Sequence, residues 1–456
     1  MNNWQDAEQF ADRASEMYEH GKWADAELAL RQALEIDPDQ GDWHFNLGLT
    51  LERVRRDAEA LSSFEQASRL LEDAIDPQLA AGAACLRLGR FTDAVVWLDR
   101  VLKLDPKIEL AWAMLVDAHA SNENHDSAET AFYMAQDALD EQGAPVLVAM
   151  SGSLLTRGLV DRAVWCANEA LKKDPDVQGG RLRLAGGLVA TGQNQRASQI
   201  LLQELREDPG NIQALLLHSD VLAESSRSNE AMICLHRVLE LEPANIDAHI
   251  RAGQFAMSEG RFEEAFIAWG LVRRLHPSHP IAGLRIAQTL LSMHRPAAAR
   301  PHLHEYLDSM QDSSMPDPAP EEWLHVAELF LASGEPEVCA TQLQQLLSTL
   351  EDGHPLKVKS LRLLAVALFA NDKIDNGASV SRKVLRLEPT CIASMHNLAL
   401  ASMKNNRFRS AWGWVRRGLR QDPLDNELRR LRSRLIWESI GTFCTQLSKR
   451  IVGKQK

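Results

Sequence analysis

Residues 83–106 read AACLRLGRFTDAVVWLDRVLKLDP. Gly89 divides two apolar-periodic runs, and Asp105-Pro106 closes the second. In that second run Ala94, Leu98 and Val101 fall at steps of four and three, which places them on one face of a helix. Proline has no N–H and a fixed φ, so it ends a helix more readily than it continues one. The stretch therefore reads as helix, short turn, helix, stop. Thirty-four residues to either side the same pattern returns.

The small residue of the second helix marks the period. It falls at Ala26, Ala60, Ala94, Ala128, Ala163, Ala197, Ala231, Ala265 and Ala299. Each step is 34 residues except one of 35, where Gly143 is inserted. The ladder goes on at Cys339, Gly377 and Ala411, after wider steps of 40 and 38. Prolines 38, 106, 175, 209, 243, 277, 389 and 423 give a second count of the same units. A third comes from compact first-helix residues such as Ala14, Gly48, Gly82, Ser151 and Gly253, which let two antiparallel helices approach closely. A lone hairpin of this size cannot bury its apolar faces, so hairpins must stack in file.

Residues 41–74 carry Leu47-Gly48, Leu51, Ala60, Phe64 and Ala67, and residues 246–279 carry Gly253, Ala265, Trp269, Val272 and Pro277. In these positions the chain resembles the tetratricopeptide repeat (TPR) family, in its bacterial multi-repeat form. The resemblance implies an all-α fold, an α-solenoid wound as a right-handed superhelix of about twelve hairpins, over about residues 7–425. Arg13 and His218 stand where Leu is usual, and Glu204 and Gly418 where Ala is usual, so these units are expected to pack less tightly.

The two wide steps suggest a division. Residues 7–313 hold nine repeats, the Pro-rich acidic stretch 314–320 reads as a linker, and 321–425 hold three more. Surplus length also falls at 351–359. In 426–456, Leu428, Leu431, Leu435, Ile440, Phe443, Leu447 and Ile451 lie near helical spacing among arginines, the pattern of a capping helix and tail.

The net charge of −13 conceals an asymmetry. Residues 404–456 carry 14 Lys/Arg against four Asp/Glu, while the other 403 residues carry 36 against 59. Six scattered cysteines, with no CxxC pair, argue against a disulfide framework and for a reducing compartment. The polar start has no signal-peptide pattern, and no apolar run is long enough to span a bilayer. A cytoplasmic location is the expectation.

Motifs of catalysis and phosphate binding are missing: there is no GxSxG, no GxxxxGK[ST], and no GxGxxG after a strand. His302 and His304 are two apart and diverge on a helix, and His276 and His279 flank a turn proline. Neither pair forms a metal face, so neither enzymatic activity nor a cofactor or metal is expected.

TPR proteins bind peptides or helices on the inner surface lined by first helices. On this numbering the resemblance puts Val148, Leu155, Leu182, Gly186 and Val189 at the centre of that surface. Acidic residues follow at Asp220, Glu224 and Glu328, and cationic ones at Arg362 and His396. The Lys/Asn clamp of chaperone-docking relatives is absent, because Ala11, Ser15, Phe45, Leu49, Leu79 and Ala83 occupy its places. The asparagine ladder of O-GlcNAc transferase is reduced to Asn46 and Asn397.

A non-catalytic interaction scaffold follows, gripping an amphipathic segment of a partner protein in its groove. The basic end, with Arg416, Arg417, Arg420, Arg429, Arg430, Arg432 and Arg434, is read first as a polar cap. An alternative is a surface for an anionic membrane or for nucleic acid, the latter disfavoured by the acidic body.

Overall fold

The computed structural model describes residues 2–139, 141, 143–310, 319–351 and 353–437. They divide into two compact units, Met1–Pro243 and Ala244–Lys456. Among the described residues there is no strand, and the helices pair into twelve antiparallel hairpins. The first unit holds seven, from α1 (Asn2–Glu19) with α2 (Trp23–Ile36) to α13 (Ile212–Glu224) with α14 (Ser228–Leu241). The second holds five, from α15 (Ile246–Ser258) with α16 (Phe262–Leu275) to α23 (Ile392–Lys404) with α24 (Phe408–Gln421). The chain is an all-α repeat solenoid.

One turn closes every hairpin. At the end of the third hairpin's first helix, Gly89 takes a left-handed φ of 71°. The next N–H, on Arg90, then donates to the carbonyl of Cys85 at 2.9 Å. This is the Schellman closure, which satisfies carbonyls that the helix end leaves orphaned. The same bond recurs at each hairpin, from Lys22 to Met17 through Arg407 to Ser402. The left-handed residue is Gly in six of them (21, 89, 158, 192, 260, 334). In the other six it is Arg55, Glu123, Ser226, His294, Asp372 or Asn406.

The connection to the next hairpin rests on the residue before the proline. Asp105 Oδ1 accepts from the Lys107 N–H at 2.8 Å, and Asp174, Asp208 and Asp422 accept from the residue two further on in the same manner. The Asp-Pro pair thus builds an Asx turn where the proline stops the helix.

Every alanine of the ladder is buried, from Ala26 to Ala299 and again at Ala411. The largest side chains fill the space the small ones leave: Phe64, Leu98 and Trp269 are fully enclosed. Burying one such side chain contributes about 1.5–3 kcal/mol.

Three of the four departures from the family pattern turn out to be compensated. Gly418 has Leu428 seated against it, so close that a Cβ would meet Leu428 Cδ1 at 2.4 Å. Glu204 pairs with Arg181 at 3.4 Å and accepts from Asn211 at 2.9 Å. His218 is buried but contacts Ser198 Oγ at 2.9 Å and Cys234 Sγ at 3.7 Å. The looser packing expected there is replaced by specific partners. Arg13, the fourth, is exposed.

The stretch 314–318 of the expected linker lies outside the described residues, as do 438–456 of the expected tail. On the described side, α18 (Pro296–Met310) runs up to 310 and α19 (Pro320–Ala332) opens on a proline. The surplus near 351–359 is partly absorbed by a longer helix, α21 (Pro355–Ala370), of 16 residues. A helix over 426–437 follows α24, capped by Asp425 Oδ1 accepting from the Leu428 N–H at 2.7 Å. Its Leu428, Leu431 and Leu435 are buried against Ala411 and Val415.

Candidate functional site: a cleft among the first helices of unit one

The fifth hairpin is out of step with its neighbours. Apart from its own partner α10 (Val160–Lys173), its first helix, α9 (Ala144–Thr156), packs mainly on α7 (Glu109–Ser121), whereas the other first helices of this unit pack mainly on the preceding second helix. Gly143 stands at the entrance to the shifted helix. It is the extra residue in the 35-residue step, and the Glu109 carboxyl occupies the space where its side chain would be, with Oε2 2.6 Å from an ideal Cβ. Because α9 touches neighbours all round, ten of its 13 residues are buried and nearly all are apolar or small.

Over α7, α9, α11 (Gly180–Ala190) and α13 lies a cleft of about 670 Å³. Val148, Leu155 and Leu182 line it, with Gly186 leaving room between them. Met114 and Leu217 extend the apolar lining towards α7 and α13. Two charges face each other across it. Asp117 stands on α7 and Arg183 on α11, with the guanidinium laid over Gly152, where a Cβ would meet its Cζ at 2.8 Å. Neither side chain makes a hydrogen bond or ion pair with a described residue. Burial pushes the Asp117 carboxyl above its ordinary value, and the charge of Arg183 pulls the other way.

Of the residues expected at the inner surface, Val148, Leu155 and Leu182 come together in this cleft. Val189 packs instead into the core around Leu188 and Leu201. Asp220 and Glu224 continue α13 beyond Leu217, and Glu224 accepts from Asn194 at 2.9 Å. Glu328, Arg362 and His396 belong to the second unit. There Glu328 pairs with Lys359 at 2.9 Å, while Arg362 is exposed and His396 half-buried. Asp117 and Arg183 went unnoticed at the level of sequence. The only hint was spacing, since Asp117 follows Met114 by three and Arg183 adjoins Leu182.

The basic surface is held by local contacts. Arg416 lies over Trp412 and Arg417 over Trp414, each 5.8 Å from the ring centroid. Arg429 donates to the Pro423 carbonyl at 2.8 Å, and Arg430 pairs with Glu427 at 2.9 Å. Arg420, Arg432 and Arg434 are exposed on the same two helices.

The histidine pairs have separate occupations. His302 Nδ1 accepts from Arg273 at 2.6 Å, His304 contacts Glu335 at 3.0 Å, and His276 and His279 meet edge to face. Among the described residues no group of three or more His, Cys, Asp or Glu gathers as for a metal ion. The Ser198–His218–Cys234 trio has the partners of a nucleophilic site but not its charge state. Burial lowers the imidazole and raises the thiol, so both rest neutral. Among the described residues no helix is long and apolar enough to cross a membrane.

The sequence profile of the Tetratricopeptide repeat family matches residues 11–80 and 79–144. The same period and the same closing turn run on through the remaining hairpins, so the repeat matched over residues 11–144 continues along the described chain. No curated protein matches it. Among solved structures it is similar to a tetratricopeptide repeat protein from Parabacteroides merdae at 15% identity, over 63% of this chain and 99% of that one, with a TM-score of 0.41. It is similar to the Cut9-Hcn1 hetero-tetramer of the APC/C at 13% identity, over 94% and 96%, with a TM-score of 0.37. Yeast Tom70 is similar at 15% identity, over 96% of each chain, with a TM-score of 0.36.

Proposed function

We propose that the chain is a non-catalytic scaffold that grips a peptide or helix of a partner protein in the cleft of its first unit. Tetratricopeptide repeats are protein-interaction modules, and the observation that carries the finer reading is the cleft itself. It is wide enough for several side chains, floored by Val148, Leu155 and Leu182, and flanked by two charges that make no hydrogen bond or ion pair with a described residue. Apolar anchors would supply affinity there, as when a helix lies in a groove. Asp117 and Arg183 would fix direction, since a wrongly oriented segment leaves both without a partner.

Replacing Leu155 and Leu182 by Asp tests this. Both side chains are half-buried at the cleft, so helicity by circular dichroism is expected to persist while partners co-purifying with the intact chain are lost. An unchanged set of partners by mass spectrometry would overturn the reading.

A further inference from the structure

The second unit has a cleft of its own, between α20 (Pro336–Thr349), α21 and α22 (Ile374–Leu387), with a volume of about 550 Å³. Its interior is aliphatic, formed by Leu347, Leu361, Leu364 and Val380. Its rim is cationic, formed by Lys357, Lys383 and Arg386, and no described carboxylate lines it. On α22 the spacing of Val380, Lys383 and Leu387 turns these residues to one side. Lys383 and Arg386 are exposed and pair with no described carboxylate. Three lysines on neighbouring helices, by contrast, are engaged: Lys359 with Glu328, Lys373 with Glu337, Lys404 with Asp372. Past α22 the positive field goes on, because Arg417 of α24 reaches back to donate to the Pro389 carbonyl at 3.3 Å.

We propose that this cleft is a second docking site, for an acidic peptide segment of a partner protein carrying aliphatic anchors. The charge pattern selects the occupant. Lys383 and Arg386, exposed beside an aliphatic hollow, fit Asp or Glu beside Leu-type side chains on one face of a helix, and repel a basic segment. Nucleic acid suits it less, since the lining has no aromatic face on which a base could stack. A bilayer surface suits it less as well, since Leu347, Leu361, Leu364 and Val380 are recessed between helices and Leu387 alone of the apolar lining is exposed.

The test is fluorescence anisotropy on the full chain with three short labelled peptides and an oligo-dT strand. The first peptide sets Glu and Leu at helical spacing, the second has Gln in place of Glu, and the third has Lys. The Glu peptide is expected to bind more tightly than both others, and more weakly as salt rises. Lys383→Glu with Arg386→Glu is expected to weaken it about tenfold or more. The thermal midpoint should not move, as both side chains are exposed. Arg429→Glu with Arg432→Glu, outside the lining, should cost less affinity, and Leu155→Asp with Leu182→Asp should leave it intact. Equal binding of the Glu and Gln peptides, indifference to the Lys383/Arg386 reversal, binding of oligo-dT alone, or no binding at all would each overturn the proposal.

Discussion

Gly48 faces the ring of Phe64 so closely that a Cβ on the glycine would lie 2.4 Å from Phe64 Cε1. The ring is fully enclosed and cannot retreat. Gly48→Ala gains at most about 1 kcal/mol of helix propensity, against about 1–3 kcal/mol for forcing extra volume into a packed core. A net loss of up to about 2 kcal/mol is therefore expected. Gly270 is exposed in α16 with nothing within 4 Å of its Cβ position, so Gly270→Ala should stabilise by about 0.5–1 kcal/mol. Urea midpoints of the two variants should move in opposite directions, and shifts of the same sign would refute the packing argument.

The closing turn makes a second contrast. Glu123 holds a left-handed φ of 57°, a conformation that strains any side chain bearing a Cβ. Glu123→Gly should relieve that strain and raise stability by about 0.5–1 kcal/mol, the freedom that glycine gains when unfolded taking back part of the benefit. Gly89, at φ 71° with open space around it, should lose about 1 kcal/mol as Ala, for backbone reasons alone. Thermal melts of both variants check this, and a stabilising Gly89→Ala would contradict it.

Acid should loosen the protein within the histidine range. Burial lowers His119, His218, His279 and His302, with Arg227 adding to the effect on His218 and Arg273 on His302. The unfolded chain then takes up protons near the ordinary imidazole value, about 6.5, before the folded chain does. Stability is thus complete above that pH and declines as the pH falls below it. Urea midpoints at several pH values on either side of it should show the decline, and His218→Leu should make it shallower. A midpoint that stays level or climbs on acidification would show that these imidazoles are not held neutral.

How much of this was written in the sequence depends on how many residues carried each feature. The ladder from Ala26 to Ala411 repeats one requirement along the chain, so hairpins, boundaries and buried faces could be read directly. The left-handed position could be read where it is Gly89 or Gly192 but not where it is Arg55 or His294, whose side chains say nothing of a positive φ. Glu204 and Gly418 looked like weak points because their partners, Arg181 and Leu428, lie 23 and ten residues away and answer a specific need, not a periodic one. Of the cleft, the apolar floor was legible and the two charges were not. Asp117 and Arg183 sit on a face whose pattern is otherwise that of ordinary helix packing.

The out-of-step fifth hairpin resembles a dislocation in a crystal. One surplus residue at Gly143 spoils the regular succession locally, and the misfit shows as a hollow where perfect repetition would have left a uniform wall. On that view the mouth of the first unit is owed to a counting irregularity in the backbone, and its side chains furnish an opening they did not create.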